Sequence, residues 1–515
     1  MESFLQTETV IIELLLIVSL VAIVMQWIRL PYTVALVLVG LGLTFQGAIR
    51  FDLTKDLILA LFLPPLLFEA AFHIEFHNLR ERLLPILTLA ILGVIVSTFI
   101  VGGLVALGTS LTLPLALVFG ALIAATDPVA VIAVFRALGA PKKLATIVEG
   151  ESLFNDGAAV VLFNIILAVA LTGHFNLFEG VWEFIRVSVG GLAIGLGLGW
   201  VTAKVIERVD NYLIETTLTT VLAFGSFLLA EEIHVSGVLA VVAAGILNGN
   251  IGPQGMSPST KIVLFNFWEY LAFLANSLIF LLIGLEMELQ VLYQNIGPIV
   301  IAAIAVLVAR TVAVYALSWV TSHFRGGKIA LTWQHILVWG GLRGAVSLAL
   351  ALGLPLTLGA ERSLIQAMAF GVVLISLLTQ ATTMEPLLNW LKLISRPEAE
   401  LEYDRSRGKL LALRAAHKHL QEMHHKGELS AHAWSILDPE MQAAEAEATN
   451  SLRRLVQTDP RLEEKEITKA RRELLIAQRG ALYSLQHDGL IDGDVFSELA
   501  TEIDHELDEL SDGQH

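Results

Sequence analysis

LLLIVSLVAIVMQWI, Leu14 to Ile28, decides the fold class of this chain. It carries apolar residues on every face of a helix, and about 20 such residues cross the roughly 30 Å of a bilayer's hydrocarbon. A transmembrane strand would instead alternate polar and apolar side chains in short segments. Apolar runs of the same kind recur from Val10 to Trp390 with short polar breaks between them. The 515 residues are 55% hydrophobic and only 16% charged, with a mean hydropathy of +0.70, well beyond a soluble domain. The sequence therefore reads as an all-α polytopic membrane protein, a helical bundle and not a barrel.

Hydropathy predicts about thirteen spans, starting near Val10, Tyr32, Asp56, Leu83, Leu113, Leu144, Trp182, Tyr212, Ser236, Phe265, Pro298, Leu331 and Ser363. Basic residues gather on alternate breaks: Arg29; Arg80 and Arg82; Arg136, Lys142 and Lys143; Lys204 and Arg208; Lys261; Arg325 and Lys328. The breaks between hold only Arg50, Lys55 and Arg362. By the positive-inside rule the N-terminus lies outside and the C-terminus in the cytoplasm. MESFLQTETV has acids where a signal peptide needs bases, so the first span is expected to be retained. With no cysteine, disulfides and thiolate metal sites are excluded.

The expected domains are a transmembrane domain over 1–395 and an acidic cytoplasmic tail over 396–515. The tail holds 25 Asp and Glu against 15 Lys and Arg, so it carries most of the chain's net charge of −16. Asp438-Pro439 and Asp459-Pro460 each set a capping acid before a proline suited to a first helical turn, predicting short helices from those points. His417, His419, His424 and His425 read either as a solvated helix face or as a pH-sensing or metal-binding group.

The chemistry lies in EGESLFNDGAAVVLF, Glu149 to Phe163. On a helix Glu151 and Asn155 share one face, and Ser152 and Asp156 form a second pair one residue round. An ionised carboxylate at this depth costs roughly 2.5 to 3.5 kcal/mol or more, so it needs a partner or a task. Upstream, FGALIAATDPVAVIAVF, Phe119 to Phe135, has Asp127 and Pro128 in its middle. Pro128 opposes a continuous helix and frees carbonyls near Ala124 to Thr126, while Asp127 can neutralise the positive end of a half-helix. Downstream, ILVWGGLRGAVSLALAL, Ile336 to Leu352, is interrupted by Gly340, Gly341, Arg343 and Gly344. Arg310 sits in a further apolar run. Two arginines against Asp127, Glu151 and Asp156 leave one acid free to titrate. Glu151 is assigned to a structural pair with Arg310 or Arg343, and Asp156 to the working role. Paired broken helices in the groups 83–171 and 298–393 point to an inverted-repeat transporter. Glu69, after a double proline in LFLPPLLFEAAF, is a candidate for the ion pathway. Glu13 and Glu269 read as interfacial, and Glu231, Glu232 and His234 as water-facing.

ATDPVAV, GESLFNDGAAVVLF and GGLRGAVSLAL in this order, with LPPLLFEAAF upstream, resemble the cation/proton antiporter-1 family of the NhaP and animal NHE type. The resemblance runs from the second span to the thirteenth. It implies thirteen helices, a homodimer, and a six-helix core in which two broken helices cross beside the site. It also implies that Asp156 binds the cation or a proton beside Asn155, and that Thr126 and Ser152 add cation oxygens. Asp127 would neutralise a crossing half-helix, and Glu151 with Arg310 or Arg343 would hold the core. Asn155 stands where relatives that move net charge have a second aspartate, so the pattern implies one-for-one, electroneutral exchange by alternating access.

Na+, Li+ and K+ all suit hard oxygen ligands. Neither a cofactor nor a nucleic-acid partner is expected, and the short tail favours a bacterial inner membrane. Three other readings compete. An intramembrane aspartyl protease would use paired carboxylates, but Asp127 and Asp156 have cationic partners in sequence. A channel would pass current, and a carrier of another proton-coupled solute would need a larger polar cluster.

Overall fold

The structure is a computed structural model. It describes residues 2–27, 31–44, 54–55, 57–174, 176–209, 211–255, 258–287, 289–324, 327–393, 398–458, 460–487 and 489–512. Among these no residue is in a strand. The chain divides into two compact units, Met1–Ile394 and Ser395–His515.

In the first unit the helices run α1 (Glu2–Met25), α2 (Tyr32–Thr44), α3 (Leu63–His73), α4 (Leu83–Gly108), α5 (Leu113–Leu122), α6 (Val129–Leu138) and α7 (Lys142–Thr172). They continue as α8 (Leu177–Ile206), α9 (Tyr212–Glu232), α10 (Gly237–Gly255), α11 (Pro258–Glu286) and α12 (Ile296–Thr321). The last are α13 (Leu331–Trp339), α14 (Ala345–Leu352) and α15 (Ala360–Trp390). Seven helices among the described residues are long and apolar enough to cross a membrane, including α4, α7, α12 and α15.

Helices begin at the expected Tyr32, Leu83, Leu113, Tyr212 and Leu331. The start expected near Asp56 lies outside the described residues. Side-chain caps fix two of the helix starts. α8 begins at Leu177 because Asn176 Oδ1 accepts from Phe178 N at 3.1 Å. Asn211 caps α9 in the same way. α6 and α7 end at Gly139 and Gly173, whose φ of 71° and 72° only glycine adopts without strain.

The bundle is close-packed where small residues allow it. Gly191, Gly195 and Gly199 form a stripe on α8, and a Cβ on any of them would meet Ser236, Ala240 or Ala244 of α10. Beneath α3, Phe68 lies 4.4 Å from Trp268 between ring centroids, and Trp268 Nε1 donates to Thr219 Oγ1 at 3.1 Å. Glu13, Glu231, Glu232, His234 and Glu269 are all exposed.

Two helices are broken, as the sequence predicts. α5 and α6 are separated by 123–128, and α13 and α14 by 340–344. Each break follows a long apolar helix and precedes another, α4 and α7 in one case and α12 and α15 in the other.

The second unit departs from expectation. Its helices α16 (Glu398–His425), α17 (Ala431–Thr458) and α18 (Pro460–His487) span 28 residues each, with α19 (Gly493–Asp512) after them. Pro460 starts α18 as predicted, but Pro439 lies inside α17. Ser430 Oγ caps that helix earlier, accepting from Ala433 N at 3.2 Å. Asp438 is thereby released from capping and serves other groups. His417 Nε2 lies 2.9 Å from Asp438 Oδ1 and His417 Nδ1 lies 3.3 Å from Glu445 Oε2, so this histidine ties α16 to α17. Hydrogen bonds to Asp438 and Glu445 push the His417 pKa up, and its bond holds Glu445 below the usual range. His424 stacks on Trp434 at 4.2 Å, whereas His419 and His425 are exposed. Among the described residues no group of His, Asp and Glu is arranged to hold a metal ion.

Candidate cation site between the two helix breaks

The breaks touch: Asp127 N donates to Leu342 O at 2.9 Å. The carboxyl ends of α5 and α13 and the amino ends of α6 and α14 therefore converge. Peptide dipoles make the first two partly negative and the last two partly positive. Each end has a charged side chain. Arg343 Nη1 donates to Ala124 O at 2.7 Å and Ala125 O at 3.0 Å, two of the carbonyls that the break at Pro128 frees. Arg310 Nε and Nη2 donate to Leu337 O in the last turn of α13, at 3.0 and 2.9 Å. Asp127 Oδ1 accepts from Val129 N at 3.0 Å at the start of α6. Its other oxygen packs against Gly344, where α14 begins.

The glycines of the second break make room for these charges. A Cβ on Gly341 would sit 2.7 Å from Arg310 Nε, and one on Gly344 would sit 2.7 Å from Asp127 Cγ. The sequence signal of three glycines thus reflects close approach by an arginine and an aspartate.

On α7 the four polar residues take separate tasks. Glu151 pairs with Arg310 through both oxygens, Nη1 to Oε1 and Nη2 to Oε2 at 2.8 Å. This answers which arginine holds Glu151, since Arg343 is committed to carbonyls. Asn155 Oδ1 accepts from Thr126 N at 3.2 Å, and its Nδ2 donates to Thr126 Oγ1. Ser152 Oγ donates to Thr126 O, which leaves its own lone pairs free. All of these groups are buried.

Asp156 differs. It is buried, yet among the described residues it has neither a hydrogen bond nor an ion pair. It lines a cavity of about 70 Å³ together with Thr126, Asp127, Ser152, Glu149 and Ser347. Leu63, Leu66 and Leu67 of α3 and Asn276 of α11 form the facing wall. Such a space is large enough for a few water-sized groups.

Glu69 is one residue removed from this lining. Ala70 borders the cavity, while Glu69 Oε1 lies 3.2 Å from His73 Nδ1. Glu149 was quoted in the sequence reading without a task, and it borders the cavity with Arg136 Nη2 3.7 Å from its Oε1. The signal was available: Glu149, Ser152 and Asp156 stand at i, i+3 and i+7 and form one stripe of the helix. Asn276 and Ser347 carried no comparable signal.

Comparison with known proteins bears on the family and the fold. A family described as "Sodium/hydrogen exchanger, transmembrane" matches residues 14–390. The Na(+)/H(+) antiporter ApNhaP of Aphanothece halophytica is 42% identical over 71% of this chain and 70% of its own. The Na(+)/H(+) antiporter NhaG of Bacillus atrophaeus is 39% identical over 91% of each. The solved sodium proton antiporter MjNhaP1 of Methanocaldococcus jannaschii aligns over 77% of this chain and 100% of its own, with a TM-score of 0.64 at 24% identity. At that identity the likeness concerns the fold alone.

Proposed function

The chain belongs to the sodium/hydrogen exchanger family, an integral membrane transporter family and not an enzyme family, and we propose that it exchanges one Na+ for one H+ by alternating access at Asp156. Li+ and K+ would compete for the same oxygens. One observation carries the proposal: every charged group at the breaks has a partner or a helix end except Asp156. Two arginines and three carboxylates leave the cluster with one negative charge when Asp156 is ionised. A single Na+ or a single proton makes it neutral, and one carboxylate accepts only one of them usefully.

That balance also supplies the coupling. An unneutralised carboxylate in a membrane interior costs roughly 2.5 to 3.5 kcal/mol or more, which disfavours movement of the empty site about a hundredfold. The loaded site escapes this penalty whichever ion it holds. In this mechanism Ser152 and Thr126 offer neutral oxygens beside Asp156, Asp127 holds the half-helix ends, and Glu149 and Glu69 line the approach. The proposal includes an outside N-terminus and a cytoplasmic tail, which the alternation of basic breaks supports, and a homodimer in a bacterial inner membrane, which rests on the family resemblance and the short tail.

Proton flux in proteoliposomes, driven by Na+, Li+ or K+ with membrane potential clamped and unclamped, tests the reading. Cation-driven flux indifferent to the clamp, and abolished by Asp156→Asn in a protein of unchanged thermal stability, is the expected result. Flux that follows the potential, or flux retained in Asp156→Asn, would reject it.

A further inference from the structure

Ser347 is the one polar side chain on α14 that borders the cavity and has no assigned task. It is fully buried, and its Oγ has no hydrogen-bond partner among the described residues. A hydroxyl left unsatisfied in a buried site costs about 1 to 3 kcal/mol, so its partner belongs to another state of the site. Thr126, Asn155 and Ser152 are engaged with one another, and Arg343 with the carbonyls of Ala124 and Ala125. Among the described residues, the polar side chains lining this cavity without a hydrogen bond or ion pair are Ser347 on α14, Asp156 on α7 and Asn276 on α11, and of these the Ser347 Oγ is a fully buried orphan.

We propose that Ser347 supplies a hydroxyl oxygen to the bound cation from the α14 side of the cavity. The inference rests on the reading of Asp156 as the exchanging acid. A monovalent cation held only by α7 and the first break would have oxygens on one side, and Ser347 closes the shell from the second break. The oxygen's lone pairs suit a hard cation. The positive end of α14 does not repel it, because Asp127 packs against Gly344 at that end. Rotation about χ1 alone redirects the hydroxyl, so the ligand is gained without moving the helix. A bound cation would thus bridge both broken helices, whereas a proton on Asp156 would leave Ser347 unmatched. The residue discriminates between the two substrates of one site.

Two variants of the full-length protein test this. Ser347→Ala removes the oxygen, and Ser347→Cys keeps nearly the same volume but replaces a hard ligand with a soft one. Thermal unfolding in detergent across a Na+ series reads binding without turnover, because a ligand of the folded state raises Tm according to its Kd. Both variants are expected to raise the Na+ concentration for half the stabilisation about tenfold. In proteoliposomes they should raise the KM for Na+ by a similar factor while kcat stays within about twofold. Ser347→Cys keeps the test valid should Ser347→Ala fold poorly. Unaltered Na+ affinity in Ser347→Cys would overturn the proposal. So would a displaced pH profile with Na+ affinity intact, which would make Ser347 a partner of the Asp156 carboxylate. Asp156→Asn, run alongside, separates the two failures. If it abolishes Na+ binding while both Ser347 variants bind normally, the role of Ser347 alone is wrong. If it still binds and exchanges Na+, the reading of the cavity is wrong.

Discussion

Arg310→Met and Glu151→Gln break the same ion pair but should not cost the same. The two side chains are only 9% and 2% exposed, so water cannot replace a lost partner. Arg310→Met strands the Glu151 carboxylate and also frees Leu337 O at the end of α13. Removing one member of a buried pair costs about 3 to 5 kcal/mol. Glu151→Gln leaves the guanidinium still donating to Leu337 O through Nε and Nη2, and an amide oxygen still accepts from it. About 1 to 3 kcal/mol is then lost. At roughly 2 to 4 °C per kcal/mol for a large domain, Tm should fall on the order of 10 °C for the first variant and a few degrees for the second. The double variant removes charge from both sides and should be more stable than Arg310→Met alone. Thermal unfolding of the purified protein, with Na+ titrated at each step, gives both stability and affinity. A Glu151→Gln protein of normal Tm whose Na+ affinity has collapsed would refute the argument, because Glu151 would then belong to the ion's shell.

Gly344→Ala drives a methyl group against Asp127 and should cost about 1 to 3 kcal/mol of stability together with most of the exchange activity; flux at the normal rate would show that Asp127 need not sit at the start of α14. In the second unit, His417 contributes stability that is full below its unfolded pKa near 6.5 and lost as pH rises through its elevated folded value. Glu445, held low, acts oppositely and loses its contribution only as pH falls through its depressed value. Protection of amides across α16 and α17 in the whole protein, after correction for the intrinsic base-catalysed exchange rate, should therefore fall as pH rises above about 6.5 and lose that dependence in His417→Ala; a corrected profile without slope in the unmodified protein would discount the bridge.

Much of this was legible because the signals were local. Apolar length marks the spans, Pro128 marks one break, Gly340 to Gly344 mark the other, and four polar residues on α7 mark the site. What the sequence left open depends on distant geometry. Glu151 and Arg310 are 159 residues apart, and their pairing follows from the room that Gly341 leaves, which no spacing reports. The role of Glu149 was present as a helical stripe but masked by the stronger pair beside it. Pro439 misled because proline after a capping acid and proline inside a helix look alike, while the true cap, Ser430, lies nine residues upstream.

Asn155 bears most directly on stoichiometry. Its amide does two opposite things at once, accepting from Thr126 N and donating to Thr126 Oγ1. The backbone N–H is an obligatory donor, so the amide oxygen must face it and the amide nitrogen must face the hydroxyl. An ionised aspartate would accept from both, because the Thr126 hydroxyl rotates to donate, so the same clamp would then carry a charge. The first break is instead held in shape by a neutral group that cannot titrate. Of the five charges at the two breaks, four are held by an ion pair or by half-helix ends, and among the described residues Asp156 has no such partner. A second acid at position 155 would keep its hold on Thr126 and add a second titratable charge beside Asp156. With asparagine there, the clamp is neutral, which is the feature behind the proposed one-for-one exchange.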